Sequence, residues 1–424
     1  MSANNKDIEV YAHWIGIPEA TLMGRLNCVT TRGREVFSFE YDNQWLKTPF
    51  AHELDPDLGL YSGRQYLRDE KSNFGIFLDS SPDRWGRMLM KRREAITARL
   101  EGRKELTLQE SDFLLGVYDV HRMGALRFKL ANHPDFLSAN RELATPPWTS
   151  LRELEQICLK LEDEGALDDP EYLKWINMLI APGSSLGGAR PKASVLDPQG
   201  ALWIAKFPSK HDADNTGGWE MVVNELGRSA GVNMAEGLIQ KLSSRQHTFL
   251  SRRFDRTNNG GRIHFASAMT LLGYTDGIDF HDGVSYLELA EFIIRNGANV
   301  EADLLELFRR ILFSICVSNT DDHLRNHGFL LTHSGWVLSP AYDINPNPYG
   351  TGLKLNISEN DNSLSLELAM SVAPYFRLNK AQAQIVIDEV VNAVSNWREI
   401  AKRYGMASNE IDRMQKAFGN YLIK

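Results

Sequence analysis

Cysteine is scarce in this chain, and the scarcity settles several questions. The three cysteines, Cys28, Cys158 and Cys316, stand far apart among 424 residues, which excludes a disulfide framework and a Cys-rich metal site and fits a reducing compartment. Basic excess is also missing. With 47 Lys and Arg against 55 Asp and Glu, a surface built broadly for nucleic-acid phosphates is not expected. No apolar run approaches membrane thickness: the most apolar stretch, Ile311 to Val317, lies between Arg309-Arg310 and the polar Asn319 and Asp321, and it reads as a buried helix. The opening MSANNKDIEVYAHW carries polar and acidic residues where a secretion signal has a basic start and an apolar core, so a cytoplasmic protein is expected.

What is present is the composition of a globular protein, 43% hydrophobic and 24% charged, in a chain too long for one core. From Val10 to Phe39 the alternating runs GRLNCV and REVFSFEY predict a small twisted sheet with turns at Gly16-Ile17-Pro18 and Thr31-Arg32-Gly33. Asp79 to Asp83 reads as a helix start with Pro82 in an early helical position, the helix running to Leu100 and its Lys91-Arg92-Arg93 forming a solvated face. The Pro-rich stretch Asn132 to Ser150 marks a boundary, followed by an amphipathic helix over Leu151–Leu161. Strands are expected near Ala193–Leu196, Ala201–Phe207, Leu238–Leu242 and Thr248–Phe254, with a helix from about Glu220 to Ala230 closed by Gly231. Beyond Arg262 the pattern turns mainly helical.

Several motifs carry chemistry. The loop from Gly183 to Lys192, GSSLGGARPK, has small residues that let backbone N–H groups approach a polyanion. It has the glycine spacing of a Walker A loop, but Ala189 and Arg190 replace the required Lys and Ser/Thr, so that assignment fails. Lys206 follows in the strand LWIAKFP, where its ammonium can meet phosphate oxygens, and Glu220 and Glu225 are both candidates to hold it from the next helix. In NTDDHLRN, Asp321 and Asn326 have the D-x-x-x-x-N register in which Asp orients the attacking hydroxyl and Asn holds Mg²⁺. A hairpin, Gly328–Thr332 with Trp336–Leu338, then returns Asp343 to the same end as a second cation ligand. Asp322 is a rival base. His323 and His327 invite a zinc or iron reading without a third comparable histidine, and a Cys–His hydrolase on Cys316 is weaker still.

Taken in order, FGIFLDSSPDRWGRMLM, DFLLGVYDVHRMGALRF, SSLGGARPK, LWIAKFPS, SRRFDR, NTDDHLRNHGFLL and LSPAYDINP resemble, over nearly the whole length, the HipA family, serine/threonine kinases that are the toxins of bacterial toxin–antitoxin pairs. The resemblance implies an α+β, two-lobed protein-kinase-like fold: an N-terminal α/β domain (1–145), a nucleotide-binding lobe with the Gly-rich loop (146–262) and a mostly helical catalytic lobe (263–424). It implies ATP and Mg²⁺ as cofactors, with Gly187, Gly188 and Lys206 at the nucleotide, Glu220 rather than Glu225 as the helical partner, and Phe254 at the adenine. Asp321 would be the catalytic aspartate and Asn326 and Asp343 the Mg²⁺ ligands. Ser185 matches the serine whose autophosphorylation expels the loop, with Ser184 its neighbour. A phosphoserine there adds about −1.5 to −2 charge and would repel ATP phosphates.

The resemblance further implies a helix-turn-helix antitoxin of the HipB type as partner, DNA contact only through it, no membrane association, and a protein substrate, aminoacyl-tRNA synthetases among the family's known targets. The chain departs from the family at Asp322, where glycine is usual, and at Arg190-Pro191. Two other readings stay open: a kinase-fold partner of the antitoxin with weak phosphotransfer because Asp322 distorts the loop, and a small-molecule kinase, since these groups do not select the acceptor.

Overall fold

The computed structural model describes residues 5–68, 71–131, 133–136, 145–163, 171–180, 188 and 190–419. The chain divides into two compact units, Met1–Ser209 with Asp255–Ala266, and Lys210–Phe254 with Ser267–Lys424. Helices and strands mix in the α+β manner expected from the sequence.

In the first unit β1 (Asn5–Ala12), β2 (Thr21–Thr31), β3 (Arg34–Tyr41), β4 (Arg64–Tyr66) and β5 (Leu126–Leu130) form an antiparallel sheet in the order β4-β3-β2-β1-β5. Alternation decides which face is covered. Ile8, Val10, Ala12, Phe37, Phe39 and Phe128 are buried, and Phe77 of α1 (Gly75–Asp79) meets Phe39 and Phe128 at 5.5 and 5.8 Å between ring centroids. The next helix, α2 (Arg84–Leu100), starts just past the expected Asp79–Asp83 stretch: Asp83 is its cap, accepting from Gly86 N at 2.9 Å, so Pro82 precedes the helix. A carboxylate that satisfies an orphan N–H outweighs the preference of proline for the first turn.

The expected solvated face of α2 is only partly solvated. Lys91 is exposed, but Arg92 donates to Leu161 O at 3.0 Å and Tyr172 Oη at 3.1 Å, reaching α4 (Leu151–Leu161) and α5 (Tyr172–Ile180). A short α3 (Glu110–Leu115) precedes β5, and β6 (Lys192–Leu196) pairs antiparallel with β7 (Leu202–Lys206), Lys192 opposite Lys206.

The second unit opens with α6 (Thr216–Ser229), which starts four residues before the expected Glu220. Asn215 caps it by accepting from Gly218 N at 3.2 Å. Gly217 and Gly218 look like breakers, yet a Cβ on Gly217 would collide with His247 O and one on Gly218 with the Met406 side chain, so close approach explains the glycines. The helix ends as expected, at Gly231 with φ +77°. Antiparallel β8 (Gly237–Gln240) and β9 (Thr248–Arg252) follow; β10 (Phe265–Ser267) begins in the first unit and leads into α7 (Ala268–Leu271) of the second.

The centre of this unit is α9 (Val300–Val317), whose Leu304, Leu307, Phe308, Ile311, Leu312, Phe313, Ile315 and Val317 are all fully buried, confirming the buried helix expected around Ile311. Each such side chain contributes roughly 1.5–3 kcal/mol. Packed against it are α8 (Tyr286–Asn296) and α11 (Lys380–Ser395), with α10 (Leu366–Val372) between them in sequence and α12 (Trp397–Arg403) and α13 (Ser408–Met414) beyond. The hairpin β11 (Gly328–Thr332) and β12 (Gly335–Leu338) pairs Phe329 with Leu338 and Thr332 with Gly335, as the sequence predicts.

In the first unit, the end of the SRRFDR motif and the segment after it are held by charge. Asp255 accepts Gly124 N at 2.7 Å and Arg256 at 2.6 Å, while buried Asp119 receives Arg127 at 2.7 Å and Arg262 at 3.0 Å. Burial pushes the Asp119 carboxyl up, but Arg262 and Arg127 outweigh it and hold it below its ordinary value of 3.8. The ionised form is therefore favoured by folding, and this stabilisation is present at neutral pH and lost as pH falls through the depressed value. Asp119→Asn should cost roughly 3–5 kcal/mol at pH 7, because it leaves buried cations uncompensated. Urea melts should show the gap to the native protein shrinking below about pH 4; a pH-independent gap would contradict this.

Candidate functional site

The loop that follows α9 begins with Ser318, which ends the helix in the left-handed region at φ +50° and donates from Oγ to Ala417 O at 2.7 Å. Asp321 is exposed, and its carbonyl accepts His323 N at 2.9 Å and Asn326 Nδ2 at 3.2 Å. The two ends of the D-x-x-x-x-N register are thus tied directly. Because Nδ2 is committed to Asp321 O, the orientation of the Asn326 amide is fixed. Its Oδ1 is buried and takes no hydrogen bond among the described residues.

Asp343 is brought to this loop by polar rails. On α9, Asp303 accepts Leu338 N at 3.1 Å and Arg310 donates to Ser339 O at 2.6 Å, which fixes β12 along the helix. Ala341 N then donates to Asn233 O at 2.7 Å, and Ala235 N to Ala341 O at 2.9 Å. Beyond Asp343 the chain is zipped onto the loop: Asn345 N to Asn319 Oδ1 at 3.3 Å, Asn347 N to Ser318 O at 3.1 Å, and Asn347 Nδ2 to Thr320 Oγ1 at 2.8 Å. Tyr342 Oη donates to Arg325 O at 2.7 Å, so the residues just before Asp343 and Asn326 touch. Between these rails Asp343 takes φ +57°, a conformation that costs an L-residue roughly 1–2 kcal/mol. Such strain gathers at functional positions.

The structure thus brings Asp321, Asn326 and Asp343 together, and Phe254 joins them through Tyr342, with ring centroids 5.4 Å apart. Glu220 is buried in α6, whereas Glu225 accepts Tyr404 Oη at 2.6 Å and pairs with Arg403. Lys206 ends β7 in the first unit. Gly188 has φ +93° and its carbonyl accepts Lys192 Nζ at 3.3 Å. Ser184, Ser185 and Gly187 lie outside the described residues.

Asp322 is no rival base. It is 4% exposed and both of its oxygens are engaged, by Tyr286 Oη at 2.6 Å on Oδ2 and His327 Nε2 at 3.1 Å on Oδ1. Burial pushes this carboxyl up, but His327, Tyr286 and neighbouring His323 outweigh it and hold it below the ordinary value. His327 lies against this carboxylate as an ion-pair contact outside hydrogen-bond geometry, and His323 Nδ1 takes no hydrogen bond among the described residues. Cys316 is buried and burial raises its thiol pKa, which removes the hydrolase reading. Among the described residues no three His, Cys, Asp or Glu cluster to hold a metal.

Oxygen donors of this kind do suit one hard cation. A buried amide oxygen left unpaired costs about 1–3 kcal/mol, and Asn326 Oδ1 with the Asp343 carboxylate is the donor chemistry that Mg²⁺ takes up beside retained waters and phosphates.

Two signals were missed in the sequence. Lys192, at the exit of the Gly-rich loop, is buried and pairs with Asp83 at 2.7 Å, 109 positions away; a lysine closing a polyanion-type loop is the only hint the sequence offers. Tyr286 and Ser314 have no local signature at all.

The fold is of the protein-kinase-like class, and comparison makes the family specific. Residues 184–398, just over half the chain, match the family described as the HipA-like C-terminal domain. The chain belongs to the HipA family. It is 27% identical over 185 residues to a Haemophilus influenzae protein named "Putative kinase", covering 39% of this chain and 54% of that one. It is also 27% identical over 198 residues to the serine/threonine-protein kinase toxin HipA of Shewanella oneidensis, covering 38% of this chain and 43% of that one. The chain therefore spans about half the length of the curated relatives it matches. A solved structure of the Shewanella oneidensis MR-1 HipA, HipB and operator DNA complex aligns over 98% of this chain and 97% of the other with TM-score 0.62 at 18% identity, which establishes the fold.

The Asn319 clamp gives a direct test of this geometry. Asn319 is 1% exposed, and its side chain accepts Asn345 N. Asn319→Ala strands that part-buried N–H and empties a buried polar position, and should lower stability by about 1 kcal/mol or more in a denaturant melt; an unchanged midpoint would contradict the zipper.

Proposed function

We propose that this chain is an ATP- and Mg²⁺-dependent serine/threonine protein kinase of the toxin kind, acting in the cytoplasm on a host protein and on its own Gly-rich loop. The observation that carries the reading is the convergence of Asp321, Asn326 and Asp343, an exposed carboxylate beside two oxygen donors. Asp321, free of hydrogen bonds to its carboxylate from the described residues, would orient the incoming hydroxyl and accept its proton. Asn326 and Asp343 would hold Mg²⁺, which when bound neutralises phosphate charge. Lys206 and Glu220 would serve the nucleotide phosphates with Gly187 and Gly188, and Phe254 the adenine, roles that rest on the family. The division at 1–145, 146–262 and 263–424 belongs to the same proposal.

A helix-turn-helix antitoxin of the HipB type is the proposed partner, supported by the Shewanella complex, whose components are HipA, HipB and operator DNA. DNA would be met through that antitoxin. Among the described residues no helix is long and apolar enough to cross a membrane. The burial of Asp322 argues against a loop distorted by that residue, and so against the weak-kinase reading.

Incubation with labelled ATP and Mg²⁺ tests the proposal. The native protein should label itself, while Asp321→Asn should lose about 10²-fold or more, and Asp343→Asn and Lys206→Met should lose most label. Mass mapping should find the phosphate on Ser185 rather than Ser184. Equal label on all four proteins would overturn the site.

A further inference from the structure

Behind Asp321 lies a buried polar cluster drawn from three parts of the chain. Tyr286 stands at the start of α8, Ser314 in the last turn of α9, and Asp322 and His327 at the two ends of the loop. The Tyr286 hydroxyl donates to Asp322 Oδ2 at 2.6 Å and Ser314 Oγ donates to the same oxygen at 3.3 Å. On the other oxygen, His327 Nε2 approaches to 3.1 Å, an ion-pair contact without hydrogen-bond geometry. The His327 and Tyr286 rings meet edge to face, 5.7 Å apart at 85°. A carboxylate removed from water in this way is costly unless each lone pair is met, and a network of this kind is rigid when satisfied.

The placement matters more than the stability. Asp322 directly follows Asp321, and His327 directly follows Asn326. The contact from Asp322 to His327 therefore spans the loop, and Asn326 Nδ2 to Asp321 O, 3.2 Å, spans it one residue earlier at each end. The backbone of His327 is held in turn, its carbonyl accepting Ala268 N at 2.7 Å. Two chords across one short loop fix the separation of its ends.

We propose that Asp322 is a positioning residue: its buried carboxylate, anchored by Tyr286 and Ser314 and closed onto His327, sets the separation and aim of Asp321 and Asn326. This rests on the phosphoryl-transfer reading above. Small displacements of reacting groups cost up to about 10²-fold in rate, and such a loss falls on kcat rather than on nucleotide binding made elsewhere.

The test compares Tyr286→Phe, Asp322→Asn and the double variant with the native protein in steady-state phosphotransfer, with thermal melts confirming the fold. Tyr286→Phe removes one hydroxyl from a packed ring and carries the test if Asp322→Asn fails to fold. The expected result is a kcat lower by about 10-fold or more, KM for ATP within about 2-fold, and a raised half-saturating Mg²⁺ concentration. Hydrogen exchange at residues 320–327 should quicken, and the double variant should be no worse than Asp322→Asn, as for residues in one network. An active native protein with unchanged kcat and loop exchange in folded variants overturns this inference alone. A native protein that transfers no phosphate overturns the reading of the site and this inference together.

Discussion

The site depends on what α9 does with its few polar residues. The helix is buried along most of its length, yet Asp303 and Arg310 hold β12 and Ser339, Ser314 reaches Asp322, and Ser318 turns the chain out of the helix. Each of these bonds is made in a desolvated setting, where a missing partner is expensive, so geometry is set tightly. One helix thereby fixes both strands of chain that carry the acidic groups.

The second constraint is electrostatic. Asp321 and Asp322 are neighbours, yet one is exposed and the other buried and saturated with contacts. Their division of labour follows from environment rather than residue type, as where paired carboxylates take different roles. Asp343 sits in a left-handed conformation held by Ala341 on one side and Asn345 and Asn347 on the other. Asn326 Oδ1, without a hydrogen bond among the described residues, and the left-handed backbone at Asp343 are local costs of the kind that gather at functional positions.

The legible features of this molecule are the local ones. The Leu151–Leu161 helix, the Gly328–Leu338 hairpin and the Asp321–Asn326 register follow from spacing, turn residues and alternation within a few positions. The return of Asp343 follows from the hairpin. Features set by distant partners were not legible: the start of α6 depends on Asn215 and on Gly217 and Gly218 lying against His247 and Met406, and Arg92 is drawn inward by Tyr172. Asp322 looked like a disruption because Tyr286, its anchor, is 36 positions away. The Lys192–Asp83 pair was hidden for the same reason.

The most direct test of the central claim, that Asn326 and Asp343 form a cation-dependent phosphate site, is calorimetric titration of a non-hydrolysable ATP analogue with Mg²⁺ and with EDTA. Binding should be at least about 10-fold tighter with Mg²⁺, roughly 1.4 kcal/mol, with a much smaller difference in Asn326→Ala. Equal affinity with and without Mg²⁺ in the native protein would contradict it.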